Sequence, residues 1–386
     1  MNILIAPDSF KGNLTALEFC RIATQAIKKN DADAHITQLP MADGGEGTID
    51  AILASVQGQL YSVIVQNPML QSITAQYAIL TEQHTAVIEM ARASGLPLLN
   101  SKQRNPLLSS SYGTGELILD ALNRGCRNFI VALGGSATND GGTGMLEALG
   151  VQFFDRQGKK LRMCGQALQH IKSINLDHFD SRLKNCKFII AGDVRNPLLG
   201  EQGASVIFAP QKGADQAMVM ALEAGMKNFV EQSQLLSDVA QSHAQKAGAG
   251  AAGGMGFALM NYCQASMQSG FEWLAEMNHL DQWLKDTETK LDLIITGEGC
   301  FDQQSLQGKL VGRLCQRADK YQIPIAIICG QQKNHLETNY LNSNISIYSL
   351  KDEGMSLEYS MKNVENLLMQ KILALFSEHD VALRQL

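Results

Sequence analysis

Ile3-Leu4-Ile5-Ala6-Pro7-Asp8-Ser9-Phe10-Lys11-Gly12 is an apolar run that stops at a proline and turns through an aspartate, a lysine and a glycine. It reads as a buried strand over 3–7 followed by a tight turn. A helix over 15–29 follows. Thr15 and Glu18 have the spacing of a capping box, in which each side chain takes an orphan amide of the first turn. Phe19, Ile22, Ala23, Ala26 and Ile27 recur at helical spacing. Lys28 and Lys29 suit the negative end of the helix dipole, and Asn30 can close it. A second strand is expected over 35–39. Strand, helix and strand make a βαβ start, hence a parallel sheet and an α/β fold. In open α/β sheets ligands bind beyond the carboxyl ends of the strands, where Asp8 and Lys11 sit.

The same pattern recurs along the chain. Pro40-Met41-Ala42-Asp43-Gly44-Gly45-Glu46-Gly47-Thr48 follows the second strand, and Thr48 can cap a helix running from Ile49. Leu133-Gly134-Gly135-Ser136-Ala137-Thr138-Asn139-Asp140-Gly141-Gly142-Thr143-Gly144 follows a strand at 129–133 and precedes a helix at 145–149. Ile295-Thr296-Gly297-Glu298-Gly299-Cys300-Phe301-Asp302 follows a strand at 292–296. Four strand ends with carboxylate beside glycine point to one site that holds a phosphate and a divalent metal.

Residues 60–90 read differently. Three short strands, 61–65, 73–80 and 85–90, with an Asn67-Pro68 turn between the first two, indicate a hairpin. A strand at 188–191 follows, then a helix-rich stretch from 214 to 285. Strands at 323–329 and 345–350 and helices at 305–320 and 357–377 restore the α/β pattern. The expected division is therefore one discontinuous domain, 1–58 plus 286–386 with parts of 100–140, and an inserted one, 59–99 plus 141–285. A chain of 386 residues favours two domains.

Composition narrows the function. The net charge of −6 argues against nucleic acid as a partner. The eight cysteines have no CxxC spacing, which favours free thiols over zinc or disulfides. Residues 1–20 lack the features of a secretory leader, and no apolar run approaches the ~18 residues that span a bilayer. A cytoplasmic protein without a membrane segment is expected.

Each candidate residue has a bland alternative. Asp8, Ser9 and Lys11 suit metal or phosphate contacts, or a solvated turn. The three glycines around Asp43 and Glu46 let main-chain amides approach a ligand, or form a left-handed connector. Hard carboxylate oxygens suit Mg²⁺. The loop 134–144 is a candidate anion cradle at a helix start, with no Walker lysine. Gly248-Ala249-Gly250-Ala251-Ala252-Gly253 matches G-x-G-x-x-G, but a polar, helical stretch precedes it rather than a strand. That leaves a phosphate-contacting loop or a close-packed helix start. In Gly192-Asp193-Val194-Arg195-Asn196-Pro197, Asp193 can serve as base, metal ligand or turn cap, and Arg195 can clamp a carboxylate.

Taken together, these stretches resemble the bacterial type I glycerate kinases. Leu198-Leu199-Gly200, Pro210-Gln211-Lys212-Gly213-Ala214 and Gly254 extend the match, which runs in order over nearly the whole chain. Cys300-Phe301 departs from it, because the family more often has arginine before the aspartate. The resemblance implies two α/β domains. One is Rossmann-like with a mostly parallel sheet, the other has a mixed sheet, and the active site lies in the cleft between them. It implies an ATP- and Mg²⁺-dependent kinase of D-glycerate, preferably acting on the 2-hydroxyl, and a monomer or homodimer. On that expectation Asp193, Lys11 and Asp8 are catalytic. Ser9, Arg195, Asp43, Gly44, Gly45, Ser136, Thr138 and Asn139 hold substrate. Gly250, Gly253, Gly254, Gly297 and Glu298 hold nucleotide, and Asp43, Glu298 and Asp302 hold metal. The rival expectations are phosphorylation at the 3-hydroxyl, an NAD-dependent hydroxy-acid dehydrogenase, and a non-catalytic ligand-binding regulator.

Overall fold

The computed structural model describes residues 1–286, 290–306, 308–333 and 344–382. Strands β1 (Asn2–Ile5) and β2 (His35–Gln38) open the chain. Next come β3 (Gly58–Gln66), β4 (Ser72–Leu80), β5 (Thr85–Glu89), β6 (Asn128–Ala132), β7 (Gln152–Phe154), β8 (Ser173–Asn175), β9 (Lys187–Ala191) and β10 (Ser266–Gln268). Strands β11 (Leu293–Phe301), β12 (Ile325–Gln332) and β13 (Ile345–Ser349) follow. The chain divides into two compact units. The first is Met1–Asp43, Asp50–Val56 and the chain from Phe271 onward; the second is Gly44–Ile49 and Gln57–Gly270.

The first unit holds a five-stranded parallel sheet in the order β13-β12-β11-β1-β2. Ile3, Leu4 and Ile5 are buried on both faces of β1, which is why that run shows no alternation. The helix Ala16–Asn30 carries the expected capping box: Thr15 Oγ1 accepts from the Glu18 amide at 3.1 Å, and Glu18 Oε2 accepts from the Thr15 amide at 2.8 Å. Its buried face packs with Leu368, Ile372 and Leu375 of the helix Val364–Ala382 and with Ile3, Ile5, Ile295 and Ile328 of the sheet. Three expected elements differ in extent. Strand β11 runs on to Phe301, so Glu298 projects from a paired strand opposite Cys329 and not from a turn. The helix expected over 305–320 is two pieces, Gln303–Leu306 and Leu310–Lys320. The helix expected over 357–377 is also two, Leu357–Lys362 and Val364–Ala382, interrupted at Asn363.

The second unit holds a mixed six-stranded sheet in the order β10-β9-β6-β5-β4-β3. Strands β10, β9, β6 and β5 run parallel, and β4 is antiparallel to both its neighbours. The hairpin turn is built by Asn67, whose Oδ1 accepts from the amides of Met69 (2.9 Å) and Gln71 (3.0 Å). A separate two-stranded pair, β7 with β8, had no counterpart in the sequence reading. Residues 100–140 lie wholly in this unit rather than partly in the first, because β6 pairs between β5 and β9. Residues 271–285 lie in the first unit instead of the second. Among the described residues no helix is long and apolar enough to cross a membrane.

Candidate active site

Within the first unit the chain ends of β1 and β2 and the outer part of β11 surround a cavity of about 370 Å³. Asp8, Ser9, Lys11, Asp43 and Glu298 line it, so five of the expected site residues are brought together. Asp8 is positioned by β11: its amide donates to the Gly297 carbonyl at 2.9 Å, and its Oδ1 accepts from the Ser9 amide at 2.7 Å. Lys11 Nζ donates to Asp43 Oδ2 at 3.0 Å. Burial, then the nearby Asp43 charge, pushes the Asp8 carboxyl up to about 7, against the pull of Lys11. Burial likewise pushes Glu298 up to about 6, against a hydrogen bond from Ser305 and the charge of Lys309. Desolvation lowers Lys11, but Asp43, Asp8 and Glu298 outweigh it and hold the amine above its ordinary value.

Two carboxyls, Asp8 and Glu298, that resist ionising beside a third acidic side chain, Asp43, are the electrostatic signature of a place for a cation. Glu298 Oε1 is buried with no hydrogen-bond partner among the described residues. The donor set is all oxygen, which fits Mg²⁺. Among the described residues no three His, Cys, Asp or Glu side chains form a ready metal cage. That also fits Mg²⁺, which is usually held by one or two carboxylates together with waters and substrate phosphates. Asp302 does not join this set. Its Oδ1 accepts from the Ser305 amide at 3.2 Å and faces Lys309 at 4.0 Å, its Oδ2 faces Lys333 at 3.7 Å, and it does not line the cavity. Gly297 has a packing reason to be glycine: a Cβ there would fall 2.3 Å from the Ile328 carbonyl oxygen of the neighbouring strand.

The Asp8 shift has a consequence for stability. A carboxyl held higher in the folded than in the unfolded state binds more protons when folded, so its contribution is full below about pH 4 and is lost as pH rises through about 7. In metal-free buffer Asp8→Asn is therefore expected to melt like the unsubstituted protein at pH 4 and at a higher temperature at pH 8. Thermal denaturation at the two pH values checks it; an equal or lower melting temperature at pH 8 contradicts the assignment.

In the second unit three glycine corners meet. A Cβ on Gly44 would fall 2.6 Å from the Ala191 carbonyl carbon at the end of β9, and one on Gly134 would fall 2.5 Å from Gly45 Cα. The Gly134 amide donates to the Gly44 carbonyl at 3.2 Å. Asp193 and Arg195 follow β9; Asp193 is half-buried and Arg195 exposed. Ser136, Thr138 and Asn139 are buried next to the Gly134 corner. Thr138 Oγ1 and Asn139 Oδ1 have no hydrogen-bond partner among the described residues.

Several expectations meet different geometry. The start of the helix Thr143–Ala148 is not a free anion cradle. Asp140 accepts from the amides of Gly142 (3.1 Å) and Gly144 (3.2 Å), and Ser111 Oγ accepts from that of Met145 (3.0 Å). Thr48 does not cap its helix, Thr48–Leu53; its hydroxyl donates to the Gly45 carbonyl at 2.7 Å, and Glu89 Oε1 takes the Ile49 amide at 2.7 Å. Gly250, Gly253 and Gly254 are packed against protein, not arranged as a nucleotide loop. Positions for a Cβ lie 2.2 Å from Pro197 O for Gly250 and 2.1 Å from Thr138 O for Gly253, while Gly254 abuts Gly141. Gly253 also has φ +67°. Gly253→Ala is expected to destabilise the protein by at least ~2 kcal/mol, from left-handed strain plus the clash, and to disturb the Thr138 loop. Denaturant unfolding checks it, and a change within about 0.5 kcal/mol, the range of an ordinary surface substitution, contradicts it.

Lys212 is a buried cation that the sequence reading did not single out. It is only 1% exposed, and its Nζ donates to Ser136 Oγ at 2.9 Å and to the Thr138 carbonyl at 2.6 Å. Burial lowers its amine to about 7, offset in part by Asp140. Asp140 is already saturated by Ser111, Gly142 and Gly144, so among the described residues no carboxylate pairs with this ammonium. A buried amine without a counter-ion is costly unless a ligand supplies one. The signal available in the sequence was only its place in the Pro210–Ala214 stretch of the resemblance.

The sequence model of the glycerate kinase family matches residues 3–378. The chain is 43% identical over 330 residues to the glycerate kinase of Haemophilus influenzae, covering 86% of each chain. It is 42% identical over 332 residues to the glycerate 2-kinase of Escherichia coli, covering 86% of this chain and 85% of that one. A crystal structure from Salmonella typhimurium LT2, assigned as glycerate kinase 2, superposes with a TM-score of 0.79 at 37% identity, covering 98% of this chain and 99% of the other. Matched almost end to end in sequence and fold, the chain belongs to the glycerate kinase family.

Proposed function

We propose that this protein transfers the γ-phosphoryl group of ATP to the 2-hydroxyl of D-glycerate. The observation that carries the reading is the cavity where Asp8, Asp43 and Glu298 stand beside Lys11. Carboxylates that hold a cation, next to a lysine that meets phosphoryl oxygens, are what phosphoryl transfer requires. Asp43 with Glu298 or Asp8 would hold Mg²⁺, directly or through water. When bound, the ion neutralises charge on the phosphate oxygens. Lys11 stabilises the transferring group as a mobile point charge. Asp193 orients the glycerate hydroxyl and takes its proton as the new O–P bond forms and the bond to the ADP oxygen breaks. Arg195 pairs with the glycerate carboxylate. Lys212 and Ser136 supply positive charge and a hydroxyl at the Gly134 corner. Ser9 shapes the backbone beside Asp8, and Gly44 and Gly45 shape it at the Gly134 corner.

The 2-position is preferred because the resemblance favours it and a 2-kinase stands among the similar proteins. Phosphorus NMR of the product of glycerate, ATP and Mg²⁺ tests acceptor position and activity together. A product phosphorylated at the 3-hydroxyl overturns the regiochemistry. Nicotinamide reduction with glycerate, in the absence of glycerate-dependent ADP release, overturns the kinase reading in favour of a dehydrogenase.

A further inference from the structure

Strand β3 is the edge of the six-stranded sheet, with β4 on one side and no strand on the other. Its nine residues, Gly58-Gln59-Leu60-Tyr61-Ser62-Val63-Ile64-Val65-Gln66, pair with β4 one for one, so no bulge twists the edge away. They include no charged residue and no proline. Proteins blunt an exposed edge with a short strand, a charge, a proline or a bulge, because a bare one templates pairing with another chain. This strand uses none of these devices.

The hairpin fixes which main-chain groups face outward. The Asn67 amide donates to the Gln71 carbonyl at 2.8 Å, and the Thr81 amide to the Gln57 carbonyl at 2.9 Å. Bonded pairs alternate along an antiparallel ladder. Odd-numbered residues of β3 therefore bond to β4, and even-numbered ones turn their N–H and C=O away from it. Gln66 has the same phase, and its amide is taken by Glu116 Oε2 at 2.7 Å. Leu60, Ser62 and Ile64 are left. Among the described residues their main chain makes no bond outside the sheet. The same three residues form the open face of the strand: Ile64 is 74% and Leu60 40% exposed, with Ser62 exposed between them.

One occupant satisfies the main chain and the apolar side chains together. A second copy of β3, antiparallel about a two-fold axis at Ser62, sets Leu60 opposite the partner's Ile64 and Ser62 opposite the partner's Ser62. Each such pair exchanges two N–H···O bonds. The exposed leucine and isoleucine then meet as a cross-strand pair, and on the other face Tyr61 meets the partner's Val63. Charge does not oppose this, although each chain carries a net −6, because the strand itself is neutral. Arg124, whose guanidinium lies 4.4 Å over the Tyr61 ring, is paired with Asp120 at 2.7 Å. An extended peptide would meet the main-chain groups alone; the symmetric spacing of Leu60, Ser62 and Ile64 fits the copy.

We propose that the protein is a homodimer joined edge to edge through β3, so that the six-stranded sheets of two subunits run on into one another. The pairing uses up both edges, and the assembly closes at two subunits. Strand β3 holds none of the residues assigned to phosphoryl transfer, so the dimer stands or falls apart from the kinase reading.

Sedimentation velocity over a concentration series is expected to show monomer and dimer and nothing larger. Ser62→Lys and Ser62→Glu each put like charges at the axis from an exposed position, and each should weaken dimerisation at least about 100-fold. An equal mixture of the two variants restores the dimer, because opposite charges then face each other. Circular dichroism checks the fold, and kcat stays within about twofold of the unsubstituted enzyme, as for an ordinary surface substitution. A monomeric unsubstituted protein overturns the proposal. A dimer that both variants leave intact does so too, since the contact then lies elsewhere. A folded mixture that stays monomeric likewise places the axis away from Ser62 and refutes it.

Discussion

Lys11→Ala is expected to lower kcat about 100- to 1,000-fold while leaving the melting temperature nearly unchanged. The ammonium is 66% exposed at the rim of the acidic cavity, 3.0 Å from Asp43. An exposed ion pair contributes only about 0.2–1 kcal/mol to folding. The same charge placed against a transferring phosphoryl group, with water excluded, matches the loss of an oxyanion donor, about 2.7–4 kcal/mol of transition-state stabilisation. Fold and function therefore separate at this residue. Asp193→Asn should show a loss of the same order, since the amide keeps the shape and cannot take the proton. Turnover numbers with circular dichroism as the fold check measure both. Near-normal turnover of Lys11→Ala would mean that the acidic cavity is not where phosphoryl transfer happens, and near-normal turnover of Asp193→Asn would remove Asp193 as the base.

Lys212→Met is expected to lower kcat at least about 100-fold, and here stability moves the other way. A lysine whose folded pKa is depressed to about 7, from an unfolded value of 10.5, carries fewer protons folded than unfolded between those values. Stability from this group thus rises as pH increases from about 7 toward 10.5, and the full penalty stands below 7. Methionine keeps most of the volume without the charge, so the variant should lose that pH slope. Its melting temperature at pH 6 should hold or rise, despite the lost contacts to Ser136 and Thr138. Lys212 holds Ser136 and the Thr138 carbonyl, so the role under test is a positioning one. The discriminating readout is the pH dependence of melting, which a purely structural lysine with an ordinary pKa would not supply. An unchanged slope together with unchanged kcat refutes the role.

Legibility differs from element to element for definite reasons. The run Ile3–Ile5, the capping box at Thr15 and Glu18, and the hairpin at Asn67 were readable because each is decided by neighbours in the chain: burial periodicity, a reciprocal cap, an Asx turn. The extent of β11 was not, because its continuation to Phe301 depends on pairing with β12, more than twenty residues away. The helix caps at Ile49 and Met145 were not, because Glu89 and Ser111 reach them through the fold. The glycines at 250, 253 and 254 looked like a phosphate loop because a glycine's reason is absent from its own sequence. The Pro197 and Thr138 carbonyls and Gly141, brought against them by tertiary packing, supply it.

Alone, the sequence determined an α/β chain with a parallel βαβ opening and an inserted hairpin. It also named the carboxylates and lysine at its strand ends, because local alternation, turn chemistry and composition set those. Tertiary structure decided which of them share a cavity: Asp8, Lys11, Asp43 and Glu298, but not Asp302. It alone exposed Lys212 as a buried amine that, among the described residues, has hydrogen-bond partners but no carboxylate. Desolvation and counter-charge are properties of the surroundings in space, and no spacing along the chain encodes them.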